Sequence, residues 1–219
     1  MVHHGRVDIL LTVLYIVLLV TAGIAGASLR GVREPGVARR PPVATMATFA
    51  VVAVCSLLQL TVAPGLFEAL RRDRAAIAGG EVWRLVTSVV VQDGGWSGTI
   101  FNLVALAVLG TFAERLWGTG RWLGVALVVQ VLGGLWGLVV QPVGAGTSLV
   151  DFGLGASLAA GAVVLGAGPR SRGPAAVSLA AALALLVLGD IHGGAALVGA
   201  AAGAALAIRQ RRRALAFPG

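Results

Sequence analysis

His192 is the only histidine beyond the first four residues of this 219-residue chain. An imidazole exchanges a proton near neutral pH, which makes His192 the first candidate for a general base. It stands in Gly189-Asp190-Ile191-His192-Gly193-Gly194, and Ala195, Gly199 and Gly203 follow on the same helical face. Such a stripe of small residues lets another helix approach closely. A serine hydroxyl that hands its proton to an imidazole becomes an acyl-transfer nucleophile. Two serines compete for that place: Ser157, in Gly153-Leu154-Gly155-Ala156-Ser157 with Gly161 one turn on, and Ser148. The chemistry also needs a donor for the oxyanion, and Asn102, an uncharged amide one turn inside a helix, is the candidate. Taken alone, the three residues read equally as a backbone-bonded serine, an interfacial histidine and polar helix–helix glue.

The elements that must carry them are apolar. Hydrophobic residues make up 58% of the chain and charged residues 12%, against about a quarter charged in soluble domains. A membrane-spanning helix needs about 20 apolar residues. Seven runs qualify: Ile9–Ala27, Val43–Ala63, Gly98–Ala113, Trp122–Val140, Leu154–Gly168, Ala175–Gly189 and Ile191–Ile208. The expected class is therefore an all-α polytopic membrane protein. The fifth run is short and is expected to start below the membrane surface, covered by the Gly-rich segment Gln141–Gly153. Leu66–Arg72 reads as an amphipathic stretch lying in the interface. Cys55 is the only cysteine, so no internal disulfide is expected. With it and one internal histidine no Cys/His metal site is expected either, nor any cofactor.

The net charge of +8 comes from seventeen arginines and no lysine. They lie mostly in short loops, which orients helices in a bilayer rather than binding nucleic acid. Twelve fall on one side if sides alternate: Arg30, Arg33, Arg39, Arg40, Arg115, Arg121, Arg170, Arg172, Arg209, Arg211, Arg212 and Arg213. That side is expected to be the cytoplasm, with the N-terminus outside and the C-terminus inside. Depth then arbitrates between the serines. Ser157 lies 13 residues before Arg170 and His192 lies 17 before Arg209, about 20 and 25 Å from the cytoplasmic charges. Ser148 lies 22 before Arg170, about 33 Å away. Depth favours Ser157. Asp190 is expected to cap the last helix and to point away from the ring.

Three segments together resemble the rhomboid family of intramembrane serine proteases. Gly80-Glu81-Val82-Trp83-Arg84 resembles its Trp-Arg loop motif, leading through Gly95-Trp96 to Phe101-Asn102; Glu114-Arg115, at the end of that helix, resembles its Glu-Arg motif. Gly155-Ala156-Ser157 is similar to the start of its Gly-x-Ser-Gly motif, and His192 with Ala195 and Gly199 to its last core helix. The resemblance runs from about Val43 to Arg213. It implies a six-helix core over 43–213, an extra N-terminal transmembrane helix and loop over 1–42, and a short tail at 214–219. It further implies Ser157 as nucleophile, His192 as base in a dyad without an acid, and Asn102 at the oxyanion. Trp83 and Arg84 would shape the adjoining loop; Glu114 and Arg115 would lock the opposite end of the core. Leu158 stands where the family has Gly, Gly161 where it often has an aromatic, and Gly98 where it has a second histidine. The competing alignment on Ser148 puts Phe152 at the aromatic position and Leu149 at the Gly.

Two functions follow from the resemblance. One is an endopeptidase of a bacterial cell membrane, whose partners are the lipid bilayer and the transmembrane segments of the proteins it cleaves. The other is a catalytically inactive relative that binds membrane proteins without cutting them. A transporter fits less well, because one histidine and no paired acids supply too little intramembrane charge.

Overall fold

The computed structural model describes residues 2–29, 41–166 and 168–216, with side chains from residue 9 onward. Arg30, Arg33, Arg39 and Arg40 of the charge argument, and the last three residues of the tail, lie outside the described residues, and the Arg6 side chain is likewise undescribed. Seven helices are long and apolar enough to cross a membrane, and the chain is an all-α polytopic membrane protein. The N-terminal helix α1 is Val2–Ser28 and α2 is Val43–Thr61. Three short helices follow: α3 Gly65–Leu70, α4 Arg74–Ala78 and α5 Arg84–Thr87. The third span joins α6 Gly95–Ala105, a π-helical stretch Leu106–Gly110 and α7 Thr111–Trp117. The remaining spans are α8 Thr119–Val140, α9 Ser148–Leu165, α10 Pro169–Val187 and α11 Ile191–Ala216. Exposed Val, Leu and Ile side chains line the outer helices, as a lipid-facing surface requires.

One boundary differs from expectation in a way that matters. The fifth span begins at Ser148, six residues before the expected Leu154, so the segment that covers its start is much shorter than Gln141–Gly153. Gly153 and Gly155 do not break the helix. They are contact points: a Cβ on Gly153 would meet Val129 Cγ1 on α8 at 2.3 Å, and one on Gly155 would meet Ala22 of α1 at 3.3 Å. A glycine whose missing side chain admits a neighbour costs the helix about 1 kcal/mol and recovers it in packing.

α9 is the centre of the bundle, buried along most of its length. Its closest neighbour is α11, which meets it backbone to backbone at Gly199 and Gly203. A Cβ at Gly203 would lie 2.3 Å from the Ser157 carbonyl oxygen. This is the close approach that the stripe below His192 anticipates. α1 lies against α9 and α10, with Leu18, Ala22 and Ala25 buried and the Ser178 hydroxyl donating to the Leu18 carbonyl at 3.1 Å.

Glu114 holds the end of the bundle remote from the start of α9. Its carboxylate accepts from the Ala44 and Thr45 backbone N–H groups at 2.9 and 2.7 Å, and from the Thr45 and Thr119 hydroxyls at 2.8 Å each. It thus caps α2, whose own N-cap Pro42 offers no side-chain acceptor. Arg115 adjoins it, lining a recess with Pro41 and Thr119. Glu114→Ala strips four bonds, three of them from buried donors, and should cost about 2–4 kcal/mol, read as a lowered unfolding midpoint in detergent; an unchanged midpoint would refute the capping role.

Candidate functional site

The site is assembled where α9 and α11 begin. Asp190 is the N-cap of α11. Its Oδ1 accepts the His192 backbone N–H at 2.8 Å, the usual reach of a capping carboxylate to the second helical residue. The same oxygen lies 2.8 Å from His192 Nδ1, so the capping turn folds the ring back onto its own carboxylate. An ionised carboxylate only accepts, which places the proton on Nδ1 and leaves the Nε2 lone pair free. That Nε2 lies 3.0 Å from the Ser148 hydroxyl oxygen. Burial raises the Asp190 carboxyl, but the hydrogen bond and charge of His192, with the Tyr15 hydroxyl, outweigh it and hold the group below the ordinary carboxylate range. A carboxylate depressed on folding stabilises the fold above its unfolded value, about 3.9, and loses that contribution only as pH falls through the lower folded value.

Ser148 is the first residue of α9, and the opening N–H groups of a helix have no intrahelical acceptor. The loop before it is fixed from three sides. Arg72 and Asp73 pair antiparallel with Gly144 and Val143. Gly146 takes φ +129°, open to glycine alone, and donates its N–H to the Ser88 carbonyl. A Cβ there would lie 3.2 Å from Asn102 Nδ2, so the Asn102 amide abuts the turn into Ser148. Asn102 is held in turn by Gln92 Oε1 at 2.7 Å, and the Gln92 backbone by Gln59. Phe152, one turn after Ser148, lies against the imidazole at 4.4 Å between ring centres.

The expected pairing of Ser157 with His192 is not what the structure contains. Ser157 is fully buried, accepts from Trp117 Nε1 at 3.2 Å and donates to the Leu154 carbonyl at 2.8 Å. Trp117 ends α7, near Glu114, at the far end of the bundle from His192. The depth count fails because Arg170 belongs to the first turn of α10 and does not mark the end of α9. Ser148 is the first residue of α9 and His192 the second of α11, so the two stand at the same end of the bundle. Asp190 is corrected too: it caps α11 as expected, but it also bonds the ring. The notice that points to Ser148 in the sequence is Gly146-Thr147-Ser148 with Phe152 four residues on.

Over 89 residues this chain is 39% identical to rhomboid protease GluP of Bacillus subtilis (strain 168). The aligned stretch is 40% of this chain and 17% of that protein, so the likeness to the rhomboid protease covers a minor part of each. No family model matches the chain. The residues whose motifs resemble those of rhomboid proteases are placed as follows. Arg84 donates Nε to Glu81 at 2.6 Å and Nη1 to the Glu68 and Arg71 carbonyls at 2.7 and 3.0 Å, tying α3 to α5. Trp83, the residue before α5, is half-exposed. Leu149, the residue after Ser148, turns its side chain into the α8 interface at Gly133. Gly98 has open space beside it.

A polar cavity of about 80 Å³ adjoins the pair, lined by Arg72, Asp93, Gln130 and Gln141 as well as Ser148 and His192. Arg72 Nε and Gln130 Oε1 are buried there without a protein partner. Such a cavity is large and polar enough to hold water.

Proposed function

We propose that this chain is a rhomboid-type intramembrane serine endopeptidase, with Ser148 as nucleophile and His192 as general base. The observation that carries the reading is the 3.0 Å approach of His192 Nε2 to the Ser148 hydroxyl, with Asp190 on the other ring nitrogen. As Ser148 Oγ attacks a peptide carbonyl, its proton passes to Nε2. The imidazolium then protonates the departing amine, leaving an acyl-serine that water hydrolyses with His192 again as base. The backbone N–H groups that open α9 have no intrahelical acceptor and serve the developing oxyanion in this reading, with the positive end of the helix dipole behind them. Asn102, whose amide abuts the turn into Ser148, is the side-chain donor in this reading. The Leu149 substitution preserves the hole, because only the backbone N–H of that residue is needed. The neighbouring cavity supplies water for the second step.

The substrates in this reading are transmembrane segments of other proteins, cut near the membrane face on which α9 and α11 begin. The arginines near the other end, Arg115, Arg121 and Arg209 among them, argue for placing that end in the cytoplasm. The test is labelling of the purified chain with a fluorophosphonate, followed by mapping of the adduct. The expected result is one adduct on Ser148 that disappears in His192→Ala. A chain that takes up no probe and cleaves no transmembrane substrate would favour the inactive, segment-binding relative.

A further inference from the structure

The extra N-terminal helix reaches the site. Tyr15, on α1, donates its hydroxyl to Asp190 Oδ2 at 2.6 Å across 175 residues of sequence. The donor is the phenol, since the ionised carboxylate only accepts. Its ring also stands edge-on to His192 with centres 4.7 Å apart, and edge-on to Phe152 at 5.2 Å. The imidazole is therefore bounded by two aromatic rings, one from its neighbour α9 and one from α1. Asp190 has each of its oxygens used: Oδ1 by His192, Oδ2 by Tyr15 and the carbonyl by Trp136 Nε1 at 3.1 Å.

We propose that Tyr15 is a positioning residue for the Ser148–His192 pair, so that α1 is part of the catalytic apparatus and not an added anchor. This rests on the protease reading above. Oδ1 alone leaves the Asp190 carboxylate able to turn about its own Cβ–Cγ bond. The Tyr15 hydroxyl fixes the second oxygen, and with it the plane in which Nδ1 is held. Nε2 must aim at Ser148, and the aim of a small ring is set by what grips its far side. The position of α1 is itself well determined. Leu18 and Ala22, one and two turns below Tyr15, are fully buried against α9 and α10.

The alternative is that the Tyr15–Asp190 bond only glues α1 to the loop before α11. The two differ in what happens to the imidazole. The groups that face His192 are Asp190 on its own loop, Tyr15 on α1, Ser148 on α9, and Arg72 and Asp93 across the cavity. Asp151, on α9, is occupied with the Thr147 hydroxyl. Tyr15→Phe keeps both ring contacts and removes one donor from Asp190. The carboxylate then turns more freely about its Cβ–Cγ bond and no longer fixes the plane of Nδ1–H.

The experiment is ¹³C-histidine NMR of the full chain in detergent micelles at one fixed pH, in a background with His3→Gln and His4→Gln, run beside kinetics on a transmembrane substrate. Tyr15→Phe should shift and broaden the His192 ring resonances, because the ring loses its fixed orientation. It should lower kcat by about tenfold with KM nearly unchanged, since misaim acts on the chemical step. Leu18→Ala, which loosens α1 without touching the hydroxyl, should leave the ring resonances in place. Unmoved His192 resonances in Tyr15→Phe overturn the proposal, as does an equal change in both variants. A wild-type chain that reacts with no probe and cleaves nothing overturns the protease reading instead. The spectra need no turnover and still decide whether Tyr15 holds the Asp190–His192 pair.

Discussion

Ser148→Ala is expected to lower cleavage of a transmembrane substrate by at least about 10³-fold, while Ser157→Ala leaves it within a few-fold of the wild type. The size of the first effect follows from losing the nucleophile itself, after which only binding and the oxyanion donors remain. The small size of the second follows from what Ser157 does. Its hydroxyl joins the Trp117 indole to the Leu154 carbonyl inside a fully buried helix contact. Alanine there leaves one indole N–H unpaired, a matter of about 1–3 kcal/mol of stability. The two variants are therefore to be compared at a temperature well below the unfolding midpoint of either. His192→Ala should match Ser148→Ala and add nothing to it in the double variant, because the two act as one unit. A Ser157→Ala protein that is folded and inactive, beside a working Ser148→Ala protein, would reverse the assignment.

The bundle was legible because apolar length is a strong signal, and all seven runs became spans. The helix that opens at His192 and its small-residue face were legible for the same reason: Gly199 and Gly203 have no other use in a helix than to admit a neighbour. The serine that stands beside His192 was misplaced by a ruler laid from the wrong mark. Arg170 looked like the foot of the fifth helix, but Gly166 and Gly168 end that helix first, and Pro169 starts the next with Arg170 in its opening turn. Asp190 was misjudged because residues two apart on a helix face different ways. Asp190 is not on the helix; as N-cap it has extended freedom, and its carboxylate can serve the second residue's backbone and ring together. Tyr15 left no trace in the sequence. A single tyrosine in an apolar run gives no hint of a partner 175 residues away, and only the docking of α1 on α9 and α10 brings the two together.

That docking logic makes the second large effect a matter of one methyl group. A Cβ at Gly199 would lie 2.0 Å from the Gly153 carbonyl oxygen and 2.5 Å from its carbon. Both are backbone atoms of α9 and cannot swing aside as a side chain would. Gly199→Ala must therefore push α9 and α11 apart, at an expected cost of about 2–3 kcal/mol or more. Gly199→Val should fail to give a folded protein. The same displacement separates Ser148 from His192, since one stands on each helix. Activity should therefore fall by about 10²-fold or more even where Gly199→Ala remains folded. Gly124→Ala is the control. Gly124 sits in α8 with nothing within 4 Å of its missing Cβ, so alanine should stabilise by about 0.5–1 kcal/mol and leave activity unchanged. Unfolding midpoints and initial rates measured side by side check both. Equal behaviour of the two glycine variants would show that the α9–α11 contact does not set the geometry of the Ser148–His192 pair.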